Sequence, residues 1–224
     1  AGTATIVLTN EPERWVGRAS YKLAGALDAW TPEGLAVAGR RCLDIGASTG
    51  GFTHVLLERG AAAVLALDVG QGQLASTLRD DPRVTELSGT NIRDVLPGSL
   101  GPSFGLVVAD LSFISLEHVL PRIAEQLSPD GDAVVLVKPQ FEVGRDRLGK
   151  GGVVRSAGDR ARALRAVIGY AEAAQLGVRA IMASPIDGSA GNREYLLWVR
   201  PSLSGTLSRQ ELNDRVDEAV RSRP

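Results

Sequence analysis

The chain has 224 residues, 44% of them hydrophobic and 23% charged, enough for one substantial core and too few for two full domains. A net charge of -1 excludes bulk electrostatic attraction to nucleic acid, so any such contact must come from a local basic patch. One cysteine, Cys42, excludes an intrachain disulfide; no apolar run approaches the ~18 residues of a membrane span and no signal-peptide pattern opens the chain, which together imply a cytoplasmic protein.

In chain order, the β-prone run Thr3–Thr9 lacks sheet partners nearby and reads as the trailing edge of something upstream, followed by a linker through Gly17. Tyr21, Leu23, Ala24 and Leu27 then recur at helical spacing over 19–29. From residue 40 strands and helices alternate: strand 40–46, helix 50–58, strand 62–68, helix 71–79 and a short strand 83–87. An apolar run, Phe104–Asp110, precedes a helix over 116–127, and strand 132–138 precedes a glycine-bearing loop over 140–156. A long helix over 158–175, strands near 178–185 and 194–200, and a polar tail complete the chain. Apolar strands separated by helices predict a mostly parallel α/β sheet covered on both faces. Ligands in such sheets sit beyond the carboxyl ends of the strands, where Gly46, Asp68, Asp110 and Lys138 all fall.

The turn Gly46-Ala47-Ser48-Thr49-Gly50-Gly51 leads from strand to helix, a place where backbone N–H groups bind polar ligands. It is not a clean G-x-G-x-x-G, because Ser48 occupies the position where a pyrophosphate needs glycine. S-adenosylmethionine has no pyrophosphate and tolerates a looser turn, so a methyltransferase is favoured over an NAD-dependent oxidoreductase. A purely structural glycine turn is the plainer alternative. The lysines are informative too: 22 arginines stand against only Lys22, Lys138 and Lys150. Lysine can give up its proton where arginine cannot, so retained lysines mark positions to examine for chemistry. His54 and His118 read as a helix-face and a surface residue, and the lack of a Cys/His cluster argues against a metal.

Several stretches carry a specific resemblance. Asp44–Thr53, Ala109–Leu116, Val137–Glu142, Lys150–Arg155 and Gly191–Tyr195 are similar, in order and spacing, to motifs of the TlyA (haemolysin-A-like) ribosomal RNA 2′-O-methyltransferases, related to the FtsJ group. Arg14-Trp15-Val16 resembles the interdomain linker of mycobacterial members. The resemblance implies a class I, Rossmann-like fold with a seven-stranded sheet over 18–202, a C-terminal tail over 203–224, and residues 1–17 as the end of an S4-like RNA-binding domain plus linker. It maps a Lys-Asp-Lys-Glu tetrad onto Lys22, Asp110, Lys138 and Glu194, although a structural ion pair is the simpler account of any one of them.

For S-adenosylmethionine the resemblance points to Asp44, Gly46, Ala47, Ser48, Gly50, Gly51, Phe52 and Thr53 around the methionine end, with Asp110 and Leu111 beside them. Asp68, Val69, Asn91 and Ile92 would surround the adenosine. RNA contact is expected from Arg14, Arg18, Arg145, Arg147, Arg155 and Arg193, with Lys150 touching phosphate or only capping its loop. Cytidine 2′-hydroxyls of 16S and 23S ribosomal RNA are the implied targets. The haemolysin name also raises a membrane-acting cytolysin, for which the sequence offers no span and no strongly amphipathic basic segment.

Overall fold

A computed structural model describes residues 14–202 and 206–222. The proposed strand at Thr3–Thr9 lies outside the described residues. Seven strands form one sheet: β1 (Arg41–Ile45), β2 (Ala63–Asp68), β3 (Val84–Ser88), β4 (Phe104–Ala109), β5 (Leu127–Val137), β6 (Gly177–Ala183) and β7 (Tyr195–Arg200). Their order is β3-β2-β1-β4-β5-β7-β6, parallel except for β7, which runs antiparallel to both neighbours. This is the α/β, Rossmann-like methyltransferase fold. The order reverses between β1 and β4, so their carboxyl ends diverge into the crevice where such sheets bind ligands.

Among the described residues each face is covered by three α-helices. On one lie α1 (Ala19–Trp30), α2 (Gly51–Glu58) and the single-turn α3 (Ser76–Arg79). On the other lie α4 (Leu120–Gln126), α5 (Ala157–Ala173) and α6 (Arg209–Arg221). In α1, Leu23, Leu27 and Trp30 make one buried stripe, and Ser20 Oγ donates to Gly51 O at 2.9 Å. That contact packs the start of α1 against the glycine turn. Cys42 is wholly buried in β1, and burial pushes its thiol up to about 12, so it packs and does not react.

Three expected elements differ. The helix predicted over 71–79 shrinks to α3, because Gly72 takes φ 63° and the chain turns there instead. The helix predicted over 116–127 is a 3-10 turn, Leu116–His118, followed by α4 with Pro121 in its first turn; β5 begins at Leu127 instead of 132. The polar tail contains α6. There Ser208 and Glu211 form a reciprocal capping box, and Leu212, Val216, Ala219 and Val220 are buried against the core. Each large apolar side chain buried this way stabilises by roughly 1.5–3 kcal/mol, enough to hold an otherwise charged helix. Among the described residues no helix is long and apolar enough to cross a membrane.

Candidate active site

β1 ends at Ile45 and the chain turns sharply before α2. Gly46, Ser48 and Gly50 take positive φ of 84°, 49° and 97°. At Gly46 the reason is contact: a Cβ would stand 2.5 Å from Asp110 O. At Gly50 a Cβ would meet the ends of the Leu78 and Leu74 side chains, and the positive φ itself disfavours any other residue. Ser48 accepts the left-handed conformation despite its Cβ, a cost of about 1 kcal/mol. Asp68 at the end of β2 holds it there, accepting from Ser48 N at 2.8 Å and Gly70 N at 2.7 Å. Ser48 Oγ meets Gln73 Oε1 at 3.2 Å.

Beside this turn lies a cleft of about 500 Å³ lined by Gly46, Ser48, Asp68, Val69, Asn91, Ile92, Asp110 and Leu111 among others. A second cavity of about 210 Å³ shares Gly46, Ser48, Asp110 and Ser112 with it and extends to Ala47, Gly51, Phe52 and Lys138. Asp44, Gly50 and Thr53 lie behind the turn: Asp44 and Thr53 are buried, and Thr53 Oγ1 donates to Asp44 Oδ2 at 2.7 Å. The other oxygen, Asp44 Oδ1, is buried with no hydrogen-bond partner among the described residues. Burial first, and then the charges of Asp110 and Asp68, raise the Asp44 carboxyl to about 7 despite the bond from Thr53.

These features suit S-adenosylmethionine. Three carboxylates converge at the strand ends, which favours a ligand with a cationic end and disfavours a pyrophosphate. Val69, Ile92 and Leu111 give the cleft the apolar lining that a base requires. Asn91 uses its side-chain oxygen to accept from Arg93 N at 3.1 Å, fixing the turn that carries Ile92 into the cleft.

The four residues of the expected tetrad form two ion pairs. Lys138, just past β5, places Nζ 2.7 Å from Asp110 Oδ1 and 2.9 Å from Ser112 Oγ, on the wall of the cavity. Lys22 on α1 donates from Nζ to Glu194 Oε2 at 2.6 Å, with side chains 8% and 3% exposed. The second pair is therefore closed off from solvent, whereas the first opens onto the cleft.

The expected RNA-contact residues are not gathered at one place. Arg14 bonds Glu58 at the far end of α2 from the glycine turn and lies over the Trp15 ring, whose Nε1 donates to Glu58 at 2.6 Å. Arg18 donates to Asp187 O at 3.0 Å, and Arg193 to Ser222 O. Arg145, Lys150 and Arg155 are exposed on the loop after β5, as is Arg147, which pairs with Asp159 at 3.2 Å.

Three side chains with no role expected from the sequence stand out here. Phe113 is 92% exposed at φ 64°, tilted against Phe141 with ring centroids 5.3 Å apart, and lies beside the Lys138 partner Ser112. A further cavity of about 550 Å³ opens on its other side, towards Gln140 and Arg145. Glu142 accepts from Ser115 Oγ at 2.6 Å and from Leu116 N at 3.0 Å, with its carboxyl raised by burial. Asn192 is the third. An aromatic three residues past the strand-end Asp110 was a signal for Phe113; the partners of Glu142 and Asn192 are too distant in sequence to show.

Comparison with known proteins agrees with this geometry. The profile of the FtsJ-like methyltransferases matches residues 15–200. The 16S/23S rRNA (cytidine-2′-O)-methyltransferase TlyA of Mycobacterium tuberculosis is 51% identical over 222 residues, covering 99% of this chain and 82% of that protein. Hemolysin A of Brachyspira hyodysenteriae is 39% identical, covering 82% of this chain and 75% of its own. A solved haemolysin-named structure from Streptococcus thermophilus superposes with a TM-score of 0.86 at 37% identity, over 94% of this chain and 76% of that one. At 17% identity and TM-score 0.57, an N1-methyltransferase from Burkholderia thailandensis shares the fold over 82% of this chain and 79% of its own. The chain belongs to the FtsJ-like methyltransferase family, and within it to the TlyA group.

Proposed function

We propose that this protein methylates ribose 2′-hydroxyls of ribosomal RNA, with S-adenosylmethionine as donor and cytidines of the 16S and 23S molecules as targets. The observation that carries the reading is the Lys138–Asp110 pair on the wall of the cavity beside the glycine turn. Bound S-adenosylmethionine supplies a methyl group on a sulfonium, already a good leaving group. What remains for the protein is alignment and removal of a proton.

In this reading the cofactor would supply the methyl group to the 2′-oxygen, Lys138 would orient that hydroxyl, and its proton would pass to solvent as the new bond forms. Asp110 and Ser112 fix the Lys138 ammonium between them. Lys22 and Glu194 act from behind as a buried pair of charges that orients the acceptor strand. Asp68 holds the ribose of the cofactor and, through Ser48 N, the shape of the turn. Asp44, buried behind the turn, would act on the positive end of the cofactor through its charge and not by contact. Phe113, exposed beside the acceptor position, offers an aromatic face to an unstacked base of the RNA.

RNA phosphates would be held by Arg18 and the basic loop after β5. The division of the chain into an upstream S4-like end and linker, a methyltransferase domain over 18–202 and a C-terminal segment belongs to the same proposal, as does work in the cytoplasm where ribosomes mature. Incubating the protein with S-adenosylmethionine and ribosomal subunits, then digesting the RNA to nucleosides for mass spectrometry, should reveal 2′-O-methylcytidine. Methylation confined to bases, or binding of NAD in preference to S-adenosylmethionine, would contradict the reading.

A further inference from the structure

The loop between β5 and α5 is anchored at both ends. Near its start Glu142 grips the 115–116 turn. Near its end Arg160 donates to Arg155 O at 2.7 Å and to Tyr195 Oη at 3.0 Å. Between these points the glycines provide no side chains of their own to hold the chain. Gly151 and Gly152 take φ of 78° and 74°, with open space where a Cβ would stand.

Asn192 supplies the missing hold. Its side chain, in a residue only 2% exposed, accepts from Val154 N at 2.9 Å through Oδ1 and donates from Nδ2 to Gly152 O at 3.0 Å. One amide thus makes the paired bonds that a neighbouring strand would make. Its own carbonyl accepts from Gly188 N at 2.8 Å, closing the turn before β7. Two residues further on, Glu194 pairs with Lys22. Asn192 therefore ties the segment bearing Glu194 to the segment bearing Lys150 and Arg155.

We propose that Asn192 is a positioning residue for the RNA acceptor: it sets Lys150 and Arg155 at a fixed distance from the Lys22–Glu194 pair, so that phosphates they grip bring a ribose to the site. The inference rests on the reading of this loop as an RNA contact. A side chain that only stapled the fold would, when lost, lower thermal stability and cofactor affinity together.

The test uses Asn192→Ala, Asn192→Asp, the double variant Lys150→Ala/Arg155→Ala, and the triple variant adding Asn192→Ala. For each, S-adenosylmethionine affinity is measured by calorimetry, and kcat, KM for ribosomal subunits and the salt dependence of RNA binding are measured alongside. Asn192→Ala should raise KM for RNA about tenfold, as expected for two lost buried hydrogen bonds, with cofactor affinity and kcat nearly unchanged. Asn192→Asp retains the acceptor for Val154 N and should give a similar KM increase, which covers the case where Asn192→Ala does not fold. The Lys150/Arg155 variant should raise KM and flatten the salt slope by about two phosphates, and adding Asn192→Ala should then change little.

If the basic-residue variant raises KM while the Asn192 variants leave it unchanged, multiply with it, or lose cofactor affinity in parallel, the positioning role is overturned. An unaltered KM and salt slope in Lys150→Ala/Arg155→Ala would instead refute the RNA reading of the loop, and the proposal with it.

Discussion

Two aspartates of the central sheet are equally inaccessible, and their surroundings could hardly differ more. Asp132, near the amino end of the parallel run of β5, accepts from Trp198 Nε1 at 2.7 Å and Arg40 at 2.6 Å and is also bonded by Arg200. Asp44, near the carboxyl end of β1, receives one hydroxyl bond and has an oxygen with no partner among the described residues. Asp132 has every lone pair it offers engaged by strong donors, whereas Asp44 is held short of partners among the described residues. Buried groups are normally satisfied, so the shortfall at Asp44, beside the glycine turn, fits the proposal that a cationic ligand binds at this edge.

The largest effect expected from breaking this contrast is at the satisfied end. Asp132→Ala leaves two guanidinium groups and an indole without their acceptor and should cost about 3–5 kcal/mol in denaturant unfolding. At the other end the sign depends on pH. Asp44 titrates at about 7 in the fold, above the ordinary carboxylate value, so the fold binds a proton that the unfolded chain releases. Its stabilising contribution is full below the unfolded value near 4 and is lost as pH rises through 7. Between pH 5 and 8 the protein should lose about 2–3 kcal/mol through this group alone, and Asp44→Asn should abolish that slope. Unfolding curves at the two pH values check it, and equal slopes would remove Asp44 from the account. A smaller loss is expected for Asp68→Ala, which frees Ser48 N and Gly70 N. It should weaken S-adenosylmethionine binding about tenfold in calorimetry, with stability changed by about 1 kcal/mol.

Much of the site was legible because parallel sheets bring strand ends to one edge. Apolar runs ending at Gly46, Asp68, Asp110 and Lys138 were enough to place those residues around one cleft. The scarcity of lysine drew attention to Lys22 and Lys138, which the structure pairs with Glu194 and Asp110. What stayed hidden depends on contacts between distant residues. No local pattern shows that Asn192 binds residues 152 and 154, or that Glu142 caps the turn at 115–116. The charged helix α6 was missed because its buried stripe is only four residues wide among Arg, Glu and Asp. Arg14 was expected to contact RNA from its charge and its place near the pocket mouth; its pairing with Glu58 could not be read from sequence, because it requires knowing that the linker lies along α2.

The central claim is that the incomplete end of the sheet holds a methyl donor and that Lys138 works there on the acceptor. Lys138→Ala, assayed for methyl transfer to ribosomal RNA and for S-adenosylmethionine binding in the same preparation, tests it most directly. The account predicts loss of transfer by at least about a thousandfold with cofactor affinity retained. Turnover close to that of the unaltered protein would contradict it.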